Sequence, residues 1–573
     1  MVIGNGPTGA ASLQQAFARH QAGDLAAAVD LYRRVIAAQP NHAEARHLFG
    51  IALMQGGDLA AAREELERAV ALDGGQAAWW NNLGLARFYG DDFAGARAGY
   101  AKALALAPGN PDFLNNLGMA LQKLDDIGGA IQAFEDALSK QQGDPEIFHN
   151  YGVALQAAQR PDDARKAFEK AIAISNGYPD SYASLGAVYF ELDRREEAYE
   201  ACRKAVALDP FHEAAHTCFK TLKWTADQQD QMHDTYRWVC REMPDHPMAY
   251  LQYGASLVLD HWYAQALPIL ERAIQLAPDA AQAHSLLGAA LVGLGRIDEG
   301  LAAHERAMER DARDPEVLER YGQALIFAGR HGEAVAPLRD AHGGNPRRST
   351  TLGLLTIAMT EAADPAVDSL VDYDTAVTAR LIDTPDGYAD LDAFNAALHA
   401  ELEVRHKALP PPINQTMRGG TQIPDHLFNG ATGTVALLKT QITDAIKAYI
   451  AGLPRDDSHP FLRYVNPDFR FTGAWSTILR GAGYDASHIH DEGWLSGVYY
   501  VKVPDLPEDL WDAGEGCIQF GAPPEIYVSD RNRSRKLIRP EAGKLVLFPS
   551  YVWHGVKPFT RDDTRHSIAF DLI

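Results

Sequence analysis

Residues 79–110 read WWNNLGLARFYGDDFAGARAGYAKALALAPGN. The stretch predicts two antiparallel helices, with a proline ending the second. Working outward, Gly84 recurs as Gly50, Gly118, Gly152, Gly186, Gly254, Gly288 and Gly322, at steps of 34 residues with one double step of 68. The skipped position is Lys220, in a degenerate unit. Twelve residues after each glycine stands a small residue: Ala62, Ala96, Ala130, Ala164, Ala198, Ala266, Gly300 and Ala334. Twenty-four residues after comes a helix-ending position: Gly74, Pro108, Gln142, Asn176, Pro210, Pro278 and Pro346. Pro244 keeps the register through the degenerate unit, and Ala28 and Pro40 carry it one unit upstream. Small residues on both helices let the backbones approach closely. A single unit cannot bury its own apolar face, so the units must stack into a superhelix.

This period and pattern resemble the tetratricopeptide repeat (TPR), over about ten units from residue 7 to 346. The resemblance implies an all-α superhelix that binds a protein or peptide. Asn82, Asn116 and Asn150 stand two residues before successive ladder glycines, on the face that lines the inner groove in TPR arrays. A carboxamide ladder can hydrogen-bond an extended peptide without reading its sequence, and the TPRs of protein O-GlcNAc transferases carry a similar one. These three are the candidate substrate-binding residues; the alternative is that they are solvated consensus positions. His216, His284, His304 and His331 follow no ligand spacing and are read as surface or interhelix residues.

Composition sets the outer bounds. The chain has 573 residues, 46% hydrophobic and 23% charged, which excludes wholesale disorder. With 76 acidic against 53 basic residues the formal charge is −23, so there is no global electrostatic footprint for nucleic acid. The four cysteines (Cys202, Cys218, Cys240, Cys517) form no CxxC pair and no disulfide framework. The start lacks a basic segment followed by an apolar one, and no run of about 18 apolar residues suggests a membrane span. The expectation is a soluble, cytoplasmic protein of undetermined oligomeric state, with no nucleic-acid or membrane partner.

After Pro346 the period is lost. Residues 347–374 are expected to form a helical cap and linker, and 375–573 a separate domain. A Pro-rich break falls at LPPPINQT and a helix at VALLKTQITDAIKAYIAGL. From Phe461 onward short apolar-alternating runs separated by Gly, Pro and Asp predict strands: FTGAWSTILRGAGY, LSGVYYVKVP, GCIQFGAPP, GKLVLFPSYVWHGVKPF and RHSIAFDLI. Such strands suggest a β-sandwich or jelly roll.

Chemistry concentrates at His488-Ile489-His490-Asp491-Glu492, at His554 sixty-four residues after His490, and at Arg565 eleven residues further. Ligands at i and i+2 of an extended segment share a face. A third from a distant strand completes one face of an octahedron, leaving room for a bidentate cosubstrate and dioxygen. An arginine on a neighbouring strand can clamp the cosubstrate's far carboxylate.

The motifs HIH, SGVYYV, PEAGKLVLFPS, HGVKP and RHS resemble a prolyl-hydroxylase-like family of Fe(II)- and 2-oxoglutarate-dependent dioxygenases with the double-stranded β-helix fold. The resemblance spans roughly residues 375–573. It implies Fe(II) as cofactor and 2-oxoglutarate as cosubstrate, with His488 and His554 as metal ligands. It also implies Arg565 as the carboxylate clamp, Ser567 in reach of the same carboxylate, and Tyr500 hydrogen-bonding it. Tyr499 and Trp553 are read as packing. The third ligand is open: His488, His490 and His554 form a three-histidine set, whereas His490 and Glu492 with His554 form an H-x-E set. The spacing to SGVYYV favours the first. That family usually has proline where Asp491 stands, a local departure.

The expected function is thus hydroxylation of a protein or peptide recruited by the array. The alternative is a TPR scaffold whose jelly roll binds metal or 2-oxoglutarate without turnover. A cupin-like enzyme without a 2-oxoacid would have no use for Arg565. A glycosyltransferase would need a longer C-terminal part and a G-x-G-x-x-G fingerprint.

Overall fold

The computed structural model describes residues 9–406, 417–423, 427–491, 493–527, 529 and 531–573, so the LPPPINQT segment and Glu492 lie outside the described residues. The chain forms two compact units, divided between Asp209 and Pro210.

The first unit is all helical, in pairs of 13 and 14 residues such as Ala77–Tyr89 with Phe93–Leu106. The turn within each pair needs one residue in the left-handed region. Gly23 and Gly57 supply it first, then Asp91, Asp125, Gln159 and Asp193 at φ between 55° and 61°. The next aspartate caps the second helix: Asp92 Oδ1 accepts from the Gly95 amide at 2.8 Å, and Asp126 Oδ1 from Gly129 at 2.9 Å.

The ladder glycines make room for a specific occupant above them. A Cβ on Gly84 would stand 2.5 Å from the Tyr100 ring, one on Gly118 2.6 Å from Phe134, and one on Gly152 2.6 Å from Phe168. The knob is always the residue sixteen positions later, on the second helix of the pair. In the second unit the pairing recurs as Gly254 with Leu270, Gly288 with His304 and Gly322 with Leu338. His304 is therefore an interhelix residue, fully buried where the Gly84, Gly118 and Gly152 units use an aromatic and the Gly254 and Gly322 units a leucine, and burial pushes its imidazole down to about 3. His216 and His284 are likewise buried.

The second unit opens on the degenerate pair. Lys220 stands where glycine would, and its ammonium reaches past the second helix of its own unit to the first helix of the next, Pro247–Leu259, at Ser256 Oγ (3.0 Å) and the carboxylate of its C-cap Asp260 (2.5 Å). A charged side chain cannot serve as the flat floor for a second helix, and here that helix shrinks to nine residues, Asp234–Glu242, after a 3-10 turn. Regular pairs then resume through Pro315–Phe327 and His331–Gly344.

The helix register outlasts the side-chain period. Ser349–Glu361 begins and ends 34 residues after Pro315–Phe327, and Ala363 (φ 55°) takes the left-handed turn position 34 residues after Gly329. This terminal helix is a first helix without a second. It is buried almost all round, as Thr351 through Met359 are, because the β-rich part packs where a second helix would go.

That part contains nine strands among the described residues: β1 (Thr378–Leu381), β2 (Met417–Ile423), β3 (Phe471–Asp485), β4 (Leu495–Lys502), β5 (Ile518–Phe520), β6 (Lys536–Ile538), β7 (Lys544–Pro549), β8 (His554–Val556) and β9 (Thr564–Leu572). They form an antiparallel six-stranded sheet in the order β1-β7-β4-β9-β3-β2 and a three-stranded sheet β6-β5-β8. A bridge between His488 and His554 extends the smaller sheet. The helix Leu391–His406 covers the outer face of the large sheet, and the helix Gly433–Gly452 packs beside it. Beneath the first helix lies a buried polar chain. Ser476 Oγ touches His406 Nε2 (2.9 Å) and His566 Nε2 (2.7 Å), and His566 Nδ1 stands 2.8 Å from His399 Nδ1. No helix among the described residues is long and apolar enough to cross a membrane.

Candidate metal centre

The histidine segment is pinned by main-chain bonds before any side chain acts. His488 and His554 exchange N–H···O=C bonds of 2.8 and 3.0 Å, and the His490 amide donates to the Ser550 carbonyl at 3.0 Å. Three rings consequently meet, with centroids 4.4 to 5.1 Å apart. One nitrogen from each of His488, His490 and His554 falls within 4.8 Å of the others.

The remaining nitrogens set the tautomers. His488 Nδ1 donates to the Ala486 carbonyl (2.8 Å), His554 Nδ1 to the Val552 carbonyl (3.0 Å) and His490 Nδ1 to the Asp571 carboxylate (2.7 Å). Carbonyl and carboxylate oxygens only accept, so the protons sit on Nδ1 and the lone pairs of Nε2 face inward, those of His488 and His490 3.2 Å apart. Burial, reinforced by the neighbouring imidazoles, pushes His488 down to about 4 and His554 well below its ordinary value. Three imidazoles facing inward suit a divalent transition metal. Glu492 lies outside the described residues, so the H-x-E set has no geometry to compare.

Asp571 is a residue the sequence reading passed over. It holds His490 from behind and is itself held by Ser496 Oγ at 2.6 Å, which also meets Ser550 Oγ at 2.8 Å. A carboxylate behind a ligating histidine fixes ring orientation and raises its basicity. The signal was available: Arg565, Ser567, Ala569 and Asp571 alternate along β9, so all four share one face.

Those four residues and the three histidines line a cavity of about 610 Å³ between the sheets. Trp475 stacks on His490 at 5.3 Å and Phe548 lies against His554 at 4.4 Å. Arg565 is 1% exposed; its hydrogen-bond partners are neutral, Gly516 O at 3.3 Å and Tyr500 Oη at 3.4 Å, its Nε is unpartnered among the described residues, and the Asp485 carboxyl, raised by burial, lines the same cavity near enough to feel its charge. A buried guanidinium with so few hydrogen bonds has donors left for a carboxylate ligand. The residues present thus fit a metal with a carboxylate-bearing cosubstrate. Tyr500 is fully buried; its ring lies 5.0 Å from the guanidinium carbon, steadying Arg565 from within the sheet. Tyr499 points to the opposite face and donates to Asn395 at 2.7 Å, while Trp553 donates to the Gly353 carbonyl at 2.9 Å.

The asparagine ladder is part-buried and already engaged. Asn116 Nδ2 donates to Asn81 Oδ1 (2.9 Å), Asn150 Nδ2 to Asn115 Oδ1 (3.0 Å) and Asn82 Nδ2 to His47 Nε2 (3.0 Å). Each amide group stitches one repeat to the one before it.

Residues 473–571 match the family model described as "Putative 2OG-Fe(II) oxygenase", and residues 19–85, 90–149, 155–217 and 260–319 match a tetratricopeptide repeat model. One chain therefore joins a TPR array to a domain of the 2OG-Fe(II) oxygenase type. A curated relative, the cytochrome c-type biogenesis protein CycH of Pseudomonas aeruginosa, is 31% identical over 221 residues, 36% of this chain and 50% of the relative. The chain thus spans about half the length of that relative. Among solved structures, MamA is 27% identical over 29% of this chain and 92% of its own (TM-score 0.28). YrrB, titled a TPR protein with an unusual peptide-binding site, is 24% identical over 32% of this chain and 95% of its own (TM-score 0.28).

Proposed function

We propose that the C-terminal part is an Fe(II)- and 2-oxoglutarate-dependent hydroxylase acting on a protein or peptide held by the repeat array. The observation that carries this reading is one cavity with three inward imidazole lone pairs and an under-partnered, buried Arg565. His488, His490 and His554 would hold the ferrous ion, and Arg565 with Ser567 would take the distal carboxylate of 2-oxoglutarate. When bound, the iron would supply oxygen activation, in which dioxygen and 2-oxoglutarate give succinate, carbon dioxide and one hydroxylated C–H bond.

The chain's own residues do the rest. Asp571 holds the proton at His490 Nδ1 and keeps Nε2 aimed inward. Its negative charge, one hydrogen bond removed from the ligands, compensates in part for the carboxylate that a three-histidine set lacks. Tyr500 fixes the guanidinium plane. Trp475, Phe548, Ile489 and Val498 give the cavity an apolar wall that excludes water from the reacting centre. In the array, TPRs generally bind proteins or peptides. The Oδ1 atoms of Asn82, Asn116 and Asn150 are acceptors for the N–H groups of an extended substrate.

The test is anaerobic addition of iron(II) and then 2-oxoglutarate, following the visible charge-transfer band of a chelated 2-oxoacid, and then oxygen with a succinate assay. A band absent in His554→Ala and weakened in Arg565→Ala, with succinate from the wild type, is expected. Bound metal with neither band nor succinate would leave a metal-binding module on a scaffold.

A further inference from the structure

The histidine segment touches the repeat array directly. Asp491, the residue after His490, lies at the start of the terminal helix Ser349–Glu361, whose own N-cap residue Arg348 makes no side-chain capping bond. Asp491 supplies the cap from 141 residues away: its Oδ1 accepts from the Thr350 amide at 3.0 Å and its carbonyl from the Ser349 amide at 3.2 Å. Ser349 Oγ then donates to the Gly493 carbonyl at 3.2 Å. The first amides of a helix have no partner within it, and a remote carboxylate that satisfies them ties two segments together.

The tie runs deeper into the array. Arg348 bonds Glu319 Oε2 at 2.8 Å while its Nη1 stands 3.7 Å from Asp491 Oδ2, and Thr351 bonds the same buried Glu319. Glu319 belongs to the first helix of the last complete pair, Pro315–Phe327. Next to the cap, Gly353 is the floor on which both ligand-bearing segments rest. A Cβ there would meet Ile489 Cδ1 at 3.0 Å and Trp553 Cε2 at 3.2 Å, and these residues flank His488, His490 and His554.

We infer that the terminal helix of the array sets the position of the metal-binding histidines, with Asp491 as the positioning residue. This rests on the metal reading above. It also gives a physical reason for aspartate where the resembling family usually has proline: a proline side chain cannot accept the Thr350 hydrogen bond. A displacement of the last repeat helices is transmitted to the ligand segment through Glu319, Arg348 and Asp491, and through Gly353 against Ile489 and Trp553.

Two readouts on the full-length protein test it. The first is amide exchange of His488 and His490 in the metal-free protein; the second is anaerobic Co(II) titration followed by its visible spectrum. In Asp491→Ala both amides should exchange faster, and Co(II) should bind about tenfold more weakly. Asp491→Asn, which keeps the acceptor oxygen, should restore both to within about twofold. Gly353→Val, which crowds the floor without touching the cap, should move both readouts in the same direction as Asp491→Ala. Unchanged exchange and unchanged Co(II) affinity in Asp491→Ala and Gly353→Val would overturn the inference. So would faster exchange with unchanged affinity, since the helix would then steady the segment without setting its ligands. If the wild type takes up no Co(II) while the exchange pattern holds, the metal reading falls and the mechanical link stands.

Discussion

The repeat array and the histidine cavity solve the placement of side chains in opposite ways. In the array every job is done many times: Gly84 under Tyr100 is repeated as Gly118 under Phe134 and Gly152 under Phe168. One failure, Lys220, costs a shortened helix and the period continues. In the cavity each job is done once. His488, His554 and the β9 pair Arg565 and Asp571 come from three separate segments, and no second copy exists among the described residues. Repetition tolerates error and leaves a legible period; a site of single residues tolerates none and leaves only scattered letters.

The largest expected effect breaks the cavity side of this contrast. His554→Ala removes a proposed ligand and should lower Co(II) affinity by more than the about 10–100-fold typical of outer-sphere losses, with the thermal midpoint of the array unchanged. Asp571→Asn should fall within that 10–100-fold range, because the amide keeps an oxygen for His490 Nδ1 but loses the charge. Wild-type affinity in Asp571→Asn would show that the charge has no part in holding the metal.

The array side breaks more gently. Gly118→Leu forces a side chain into Phe134 and should cost about 1–3 kcal/mol by overpacking. Because stability in a stack is shared with nearest neighbours, urea unfolding should show the loss in the repeats, with Co(II) binding kept. Loss of Co(II) binding in this variant would mean that the distinction between the regions is too sharp.

A pH experiment probes the buried chain under the helix Leu391–His406. Burial pushes His566 down to about 2 and His406 to about 4, so both stay neutral in the folded protein. Unfolded imidazoles titrate near 6.5, so below that pH the unfolded chain binds more protons. Stability should therefore be flat above about 6.5 and fall as the pH drops below it, by up to about 1.4 kcal/mol per pH unit for His566 alone. Urea midpoints at pH 7.5 and 5.5 check the sign; a higher midpoint at 5.5 would contradict it.

The smallest effect concerns the ladder. Asn116→Ala removes one hydrogen bond between repeats and should cost about 0.5–1.5 kcal/mol. If the triple Asn82/Asn116/Asn150→Ala variant keeps full substrate turnover, the ladder serves the stack alone.

The helices of the array and the long strands β3, β4, β7 and β9 were legible because each carries its own period or apolar alternation. Strands β1 and β6 were not. They are short and half-exposed at sheet edges, as Leu381 and Leu537 show at 47% exposure each, so little in their side chains marks them as strand. The helix Ser349–Glu361 was legible as helical, but its place in the repeat register was hidden. Its side chains are chosen to meet Ile489 and Trp553 rather than a second helix, so the residue pattern fades while the backbone pattern persists.

By itself the sequence determined the stacked helical repeats, the jelly-roll strands and the candidate residues His488, His490, His554 and Arg565, because local spacing fixes which residues share a face. Only the tertiary structure decided which nitrogen of each histidine faces inward, that Asp571 stands behind His490, and that Asp491 caps a helix of the array. His488 and His554 are turned by carbonyls two residues before each ring, but the roles of Asp571 and Asp491 depend on segments 81 and 141 residues apart meeting within hydrogen-bond distance, and no local pattern records where a distant carboxylate will lie.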